Sequence, residues 1–361
     1  MIDTERLVAC FMELVRIDSP SGQEQAVGDR VLGWLRELGV AAERDAIGNV
    51  LGRLDGRGEP FLLNAHLDTV VPGNGVQPVL ADGVIKSDGR TVLGGDDKAG
   101  VAIILEVLRT ARDKGLTLPP LDILFTVQEE VGLRGAKAFD ARRLRARQGI
   151  GLDAGGPQGT IDVSTPSHDT LDIVVHGVAA HAGGEPEKGI SAIEVAAEAI
   201  TRMPLGRIDQ ETTANVGTIV GGKATNIVAD RVEMRAEARS RNPRKLAAQV
   251  QAMRQALEEA AAARGVGVDI QLTHEYVGYS FKPEDPLIRL LAAGAAEVGL
   301  EPIYTPTGGG SDANVLNAAG VQITNISVGM DRVHTTQEQI AVADMVRCAE
   351  WVLACLRLRA G

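Results

Sequence analysis

No stretch of this 361-residue chain approaches the ~20 consecutive apolar residues that a membrane helix needs. Basic residues are in deficit. The 37 Lys and Arg against 48 Asp and Glu leave a formal net charge of −11, so the clustered cations of a nucleic-acid surface are not expected. Cysteine is scarce too. Cys10, Cys348 and Cys355 are odd in number, lack metal-ligand spacing and lie in helical patterns, which predicts buried free thiols in a reducing cytoplasm. The first residues read as a polar, capped helix rather than a basic segment followed by an apolar one, and no signal peptide is expected. Neither an internal repeat nor a low-complexity linker is visible. What remains is a globular chain long enough for two domains, since single cores stop growing near ~250–300 residues.

The pattern that is present alternates short apolar strands with amphipathic helices. Asp3 or Thr4 can cap a first helix with Leu7, Phe11, Leu14 and Val15 as its stripe. Ser21 with Glu24 forms a capping-box pattern before a second helix that ends near Gly39. Val50–Leu54, Phe61–Ala65, Leu121–Val127, Ile150–Leu152 and Val321–Val328 read as strands. Several are so continuously apolar that both faces must be covered. Val71–Asp88 reads as a loop with weak strand content, and Gln339–Leu358 as a closing helix. This order predicts an α/β fold around a largely parallel sheet. Between its halves the rhythm changes to strand Thr170–His176, helix Ile190–Met203, strands Ala214–Val220 and Asn226–Arg239, helix Pro243–Arg264 and strand Val266–His274. That βαββαβ order is the split ferredoxin-like unit. Residues 165–276 are therefore expected to form an inserted domain, with 1–164 and 277–361 as the α/β domain.

Four of the buried strands deliver polar residues at or just past an end: His66 with Asp68, Glu129 with Glu130, Asp153, and His334. Ligand crevices of open α/β sheets lie outside the carboxyl ends of the strands, so these residues should share one rim. Asp96, in the stretch GGDDKAG, is placed to cap a helix on that rim. Singly, each cluster reads as an ordinary turn or surface group. Jointly, two histidines and several carboxylates suit Zn²⁺, with Mn²⁺ or Co²⁺ as alternatives. Five ligands are too many for one tetrahedral ion with an open position. They suit two ions that share a bridging carboxylate, for which Asp96 is the candidate. His66 and Asp68, two apart at a strand end, point the same way, His66 toward metal and Asp68 orienting the imidazole through its other nitrogen. Glu129 and Glu130 diverge in extended chain. One can ligate while the other serves as general base.

At these residues the chain resembles a known family, the di-metal exopeptidases and amidohydrolases that include peptidase T, glutamate carboxypeptidase, aminoacylase and acetylornithine deacetylase. The matching segments are HLDT (His66–Thr69), GGDDKAG (Gly94–Gly100), QEEVG (Gln128–Gly132), LDAGG (Leu152–Gly156), GVAAHAG (Gly177–Gly183), GGGSDA (Gly308–Ala313) and the loop of His334. DDKAG followed by EEVG resembles the peptidase T branch more than the deacetylases, where the segment more often reads DMKGG. The chain departs from peptidase T in lacking its long insert between the HLDT and GGDDKAG segments. The resemblance implies that Asp96 bridges two ions, that His66 and Asp153 complete one and Glu130 and His334 the other, that Glu129 is the catalytic base or acid, and that Asp68 orients His66.

The resemblance further implies that the inserted domain acts as a lid and a homodimerisation surface. His181 matches a lid histidine that reaches the reaction centre, sometimes from the partner chain. Asn226 and Arg239 match lid positions that contact substrate, and Arg235 competes for the second of these roles. His168, His176 and His274 receive no role. The implied activity is metal-assisted hydrolysis of amide bonds in short peptides, as a tripeptidase-like aminopeptidase of the cytoplasm. The alternative is an N-acyl amino acid deacylase or carboxypeptidase-like amidohydrolase on the same two ions. GGDDKAG and GGGSDA lack the Gly-Lys-Ser/Thr of a nucleotide-phosphate loop.

Overall fold

The computed structural model describes residues 2–361. The chain divides into two compact units, one of residues 2–163, 280–306 and 311–361, the other of Ser164–Tyr279 with Thr307–Gly310. Among the described residues no helix is long and apolar enough to cross a membrane.

The first unit is an α/β layer structure on a mixed sheet. At its centre the strands Leu121–Thr126, Phe61–His66, Gln148–Gly155 and Gln322–Asp331 lie side by side in that order, all parallel. Every residue of Phe61–His66 and of Leu121–Thr126 is buried, as strands covered on both faces require. Antiparallel strands flank this core. Val50–Leu54 and Ala41–Arg44 lie on one side, and Gln339–Ala341, Val84–Lys86 and Val79–Ala81 on the other. Gln339–Ala341 is thus a strand, and the last helix begins only at Val342. The expected helix start at Gln339 yields there to pairing with Asp331 and Met330. Helix Gly95–Asp113 packs on the parallel strands and against helices Thr4–Arg16 and Val342–Ala360, and fifteen of its residues are buried as a result.

Two expected caps are differently made. Asp3 caps the first helix through Arg6 N–H, as its position suggests. Ser21 and Glu24 form no capping box. The Ser21 hydroxyl donates to Asp68, and the Glu24 carboxylate accepts the N–H groups of Gly22 and Gln128. Both side chains are drawn to the chain after the parallel strands, where buried N–H and carboxylate groups need partners more than an exposed helix end does.

The second unit is a ferredoxin-like α+β sandwich. Its antiparallel sheet runs Gly206–Arg207, Thr212–Gly221, Arg231–Ser240, Ser167–His176, Val268–Tyr276, so the first long strand lies between the third and the last. Along Arg231–Ser240, Val232, Met234, Ala236 and Ala238 are buried while Arg231, Glu233 and Arg235 face outward. That alternation marks a sheet covered on one face only, here by helices Ala192–Arg202 and Pro243–Ala263. The strand expected from Asn226 starts at Arg231, which leaves Asn226 in the preceding loop.

Candidate metal centre

Four adjacent parallel strands necessarily present their carboxyl ends along one edge, and the polar clusters meet there. His66 closes its strand and is buried, and Asp68, two residues on, is fully buried. Glu129 and Glu130 follow the neighbouring strand through Gln128, which adopts a left-handed φ of 54°. Asp153 sits within the third strand, and His334 in the loop after the fourth, at φ 63°.

Asp96 lies at the middle of the cluster. Its Oδ1 is 3.0 Å from His66 Nε2 and its Oδ2 is 3.3 Å from His334 Nε2, so each carboxylate oxygen faces a different imidazole. His66 Nε2 is also 3.9 Å from Asp153 Oδ1, and His334 Nε2 is 3.0 Å from Glu130 Oε1. The other nitrogen of His66 is engaged by Asp68, at 3.0 Å from its carbonyl oxygen and 3.5 Å from its carboxylate. This leaves Nε2 as the nitrogen that faces the carboxylates.

The helix cap is Asp97, not Asp96. Asp96 has φ −79° and ψ 103°, outside the helical region, which carries its side chain off the helix axis toward the histidines. Asp97 is fully buried. Its Oδ1 accepts Gly100 N–H at 3.2 Å and its Oδ2 accepts His66 N–H at 3.2 Å. The ligand atoms of His66, Asp96 and Glu130 lie within 4.8 Å of one another, as do those of His66, Asp97 and Asp153. Because both Asp97 oxygens already hold backbone N–H groups, Asp96 is the carboxylate with free acceptor capacity.

The electrostatics describe a site short of positive charge. Burial, then Asp96, push Asp153 well above the ordinary carboxylate range, and burial foremost does the same to Glu129. Burial opposes ionisation of Asp96 as well, yet His334 and His66 overcome it and lower this one carboxyl. Burial likewise opposes the His66 cation, but Asp68 and Asp96 raise it well above the usual imidazole value. Asp96 and then Glu130 push His334 up to about 10. Among the described residues, the ion-pair partners of Asp96, Glu130 and Asp153 are these two histidines. Imidazole nitrogens and carboxylate oxygens crowded without arginine or lysine form a donor set that fits divalent cations.

Several participants have no signature in the sequence. The Asp68 carboxylate accepts not only the Ser21 hydroxyl but the N–H groups of Glu129 at 2.9 Å and Glu130 at 3.2 Å. Glu338, buried beside the His334 loop, accepts three N–H groups of the turn that ends on Asp96. Asp312, buried and pushed up to about 6 by burial, accepts the Thr126 hydroxyl below the strand end that leads to Glu129. Of the GGGSDA segment, Ser311 caps helix Asp312–Ala318 in a capping box with Asn314.

The remaining candidates lie in the second unit. His181 is exposed, and its Nδ1 accepts N–H groups from Gly183 at 3.1 Å and Gly184 at 3.0 Å, which puts the proton of a neutral ring on Nε2. Asn226 is also exposed. Its carbonyl accepts Ala182 N–H, and His181 bridges Ile227, so His181 and Asn226 share one loop pair. Arg239 is half-buried and bonds Glu237 at 3.0 Å, while Glu237 also takes His168 at 3.1 Å. Arg235 makes an exposed ion pair with Asp172. Arg239 pairs with His168 in the sheet and Arg231 with His176. Eight residues of strand, about 26 Å at ~3.3 Å each, thus separate Arg239 from the end near which His181 and Asn226 lie.

A model of peptidase family M20/M25/M40 matches residues 62–358. The crystal structure of aminopeptidase PepT from Bacillus cereus is 41% identical, covers 100% of both chains and superposes with a TM-score of 0.91. A tripeptidase from Staphylococcus aureus is 35% identical over 100% of this chain and 99% of its own, with a TM-score of 0.96. Peptidase T of Vibrio cholerae is 29% identical over 75% of this chain and 66% of that protein.

Proposed function

This chain belongs to peptidase family M20/M25/M40, and from that membership we propose that it is a peptidase T-like aminopeptidase that removes the N-terminal residue of short peptides, tripeptides above all. The observation that carries the reading is Asp96, with one histidine Nε2 on each carboxylate oxygen, in a chain that aligns over its full length with an aminopeptidase and a tripeptidase.

In this reading Asp96 would be shared by two divalent cations, zinc first with manganese or cobalt as alternatives. His66 and Asp153 would complete one set of ligands, and Glu130 and His334 the other. When bound, the cations supply Lewis acidity toward the scissile carbonyl and lower the pKa of water. Glu129 takes a proton from the water that attacks the scissile carbonyl and delivers it to the departing amine. Its buried position, which raises its affinity for a proton, suits a group that must both take and release one near neutral pH. Asp68 fixes the His66 ring and, through two N–H groups, the turn that carries Glu129. The Arg239 guanidinium, held by Glu237, is suited to the peptide's terminal carboxylate.

His181 donates from Nε2 to the developing oxyanion, with Asn226 beside it. Because these two lie at the strand end away from Arg239, the reading has a second copy of the chain supply them, in a homodimer built through the inserted unit. Exposed Ile219 and Val220, on the part of strand Thr212–Gly221 beyond its pairing with Gly206–Arg207, support that surface. The three free cysteines, all buried, are consistent with a cytoplasmic setting.

The test is digestion of a panel of free di-, tri- and tetrapeptides beside N-acyl amino acids, with and without a chelator, and with metal content measured on the same sample. Release of N-terminal residues that stops when metal is stripped is expected. Turnover of N-acyl amino acids with free peptides untouched would replace the aminopeptidase with the deacylase.

A further inference from the structure

The turn Leu93–Asp96 leads into the helix that Asp97 caps, with Gly94 in the left-handed region at φ 75° and Asp96 outside the helical region. The backbone N–H groups of such a turn need acceptors when it is buried. Those of Leu93 and Gly94 both donate to Glu338 Oε2 at 2.8 Å, and that of Asp96 donates to Glu338 Oε1 at 3.0 Å. One carboxylate, 1% exposed, therefore gathers the whole turn that presents Asp96.

Glu338 reaches this turn from the loop that bears His334. Strand Gln322–Asp331 returns as Gln339–Ala341, with Asp331 paired to Gln339. Residues 332–338 are the loop between them. Its tip is exposed, and the His334 side chain is itself 51% accessible. Among the described residues, the hydrogen bonds from this loop to the Leu93–Asp96 backbone are all made by Glu338. The two histidines around Asp96 are thus held by different means. His66 ends a buried strand, with its ring locked by Asp68. His334 sits on an exposed loop whose hydrogen bonds to the backbone of the Asp96 turn come from Glu338.

From this asymmetry, and resting on the proposed reading of the site, we infer that Glu338 is a positioning residue that sets the distance between His334 and Asp96 and so governs the cation on the His334 and Glu130 side. The cation on the His66 and Asp153 side shares Asp96 but has its other two ligands on the parallel strands, so it depends on Glu338 far less. Gly95 belongs to the same contact, because a methyl group there would lie 3.0 Å from Glu338 Oε1 and press on the carboxylate.

The experiment titrates cation-free protein with Co²⁺, followed by calorimetry and by the visible spectrum of the bound ion, in the wild type, Glu338→Gln and Gly95→Ala. Glutamine keeps the shape but turns an N–H₂ toward N–H donors. We expect one of two dissociation constants to weaken about 10- to 100-fold, as for other residues that orient ligands, and the other, which shares only Asp96 with it, to weaken by much less. Gly95→Ala should weaken the same site with the carboxylate still present, which keeps the test open if Glu338→Gln fails to fold. The weakened site is identified by His334→Ala, in whose background Glu338→Gln should cost nothing further. Equal weakening of both cations, or wild-type affinities in both folded variants, overturns the role of Glu338. A wild-type chain that binds fewer than two cations overturns the reading of the site itself, and this inference with it.

Discussion

The carboxylate of Asp68 accepts the backbone N–H of Glu129 at 2.9 Å. The residue that orients the His66 imidazole therefore also anchors the turn of the proposed base. Removing its charge should disturb both. Asp68→Asn is expected to lower kcat/KM by more than the ~10–100-fold typical of a residue that only orients a ligand, and to weaken cation binding at the His66 side. Ser21→Ala, which removes one donor to the same carboxylate, should cost far less. Steady-state kinetics with cation titrations check both, and equal effects of the two substitutions would argue against the dual role.

Glu129→Gln tests the proton carrier. The amide preserves size but cannot accept the proton, so kcat should fall about 10²–10⁴-fold with both cations still bound. Burial raises the Glu129 pKa, so in the wild type the basic form is lost as pH falls through that raised value. The acid limb of kcat/KM should disappear from the residual activity of the variant. Near-wild-type turnover with metal retained would remove Glu129 from this role.

Cation binding should release protons. In the cation-free chain Asp96 and Glu130 push His334 up to about 10, so its imidazole is charged at neutral pH. Affinity is expected to rise with pH, and the proton count follows from calorimetry in buffers of differing ionisation heat. The same pair sets a stability window for chelated protein. The His334 contribution is full below its ordinary 6.5 and is lost as pH rises through about 10. The Asp96 contribution is present above its ordinary 3.8 and is lost as pH falls toward its lowered value. Lys98, lowered to about 7 by burial, works in the opposite sense across the alkaline range. The informative quantity is therefore the difference in urea midpoint between wild type and His334→Ala. It should shrink as pH rises past 6.5, and a difference that grows toward pH 10 would contradict the pairing.

Arg239, braced by Glu237, should read the terminal carboxylate of the peptide. Arg239→Ala is expected to raise KM for free tripeptides about 10-fold or more, in line with the ~1.5–3 kcal/mol of a charged hydrogen bond. Tripeptide amides, poorer substrates for the wild type, should be little affected. Equal losses on acids and amides would assign Arg239 to folding of its strand.

Much of the fold is legible in the sequence for a simple reason. Phe61–Ala65 and Leu121–Val127 are too apolar to face water on either side, so a sheet buried between helices follows, and with it an edge where His66, Glu130 and their counterparts gather. The second unit is legible through alternation, as in Val232, Met234, Ala236 and Ala238. The details that escape pattern reading depend on tertiary competition for polar groups. Ser21 and Glu24 satisfy a capping-box spacing yet are drawn to Asp68 and Gln128. Asp96 and Asp97 are alike as letters, and a local turn decides which one caps the helix and which one faces the histidines. Glu338 bonds residues more than two hundred positions away, and nothing local marks it.

The most direct measurement is anomalous diffraction at the zinc absorption edge from crystals grown with zinc. The account predicts two peaks per chain about 3.5–4 Å apart on either side of the Asp96 carboxylate, one within bonding distance of His66 and Asp153 and the other of His334 and Glu130. A single peak, or peaks that do not share Asp96, would contradict it.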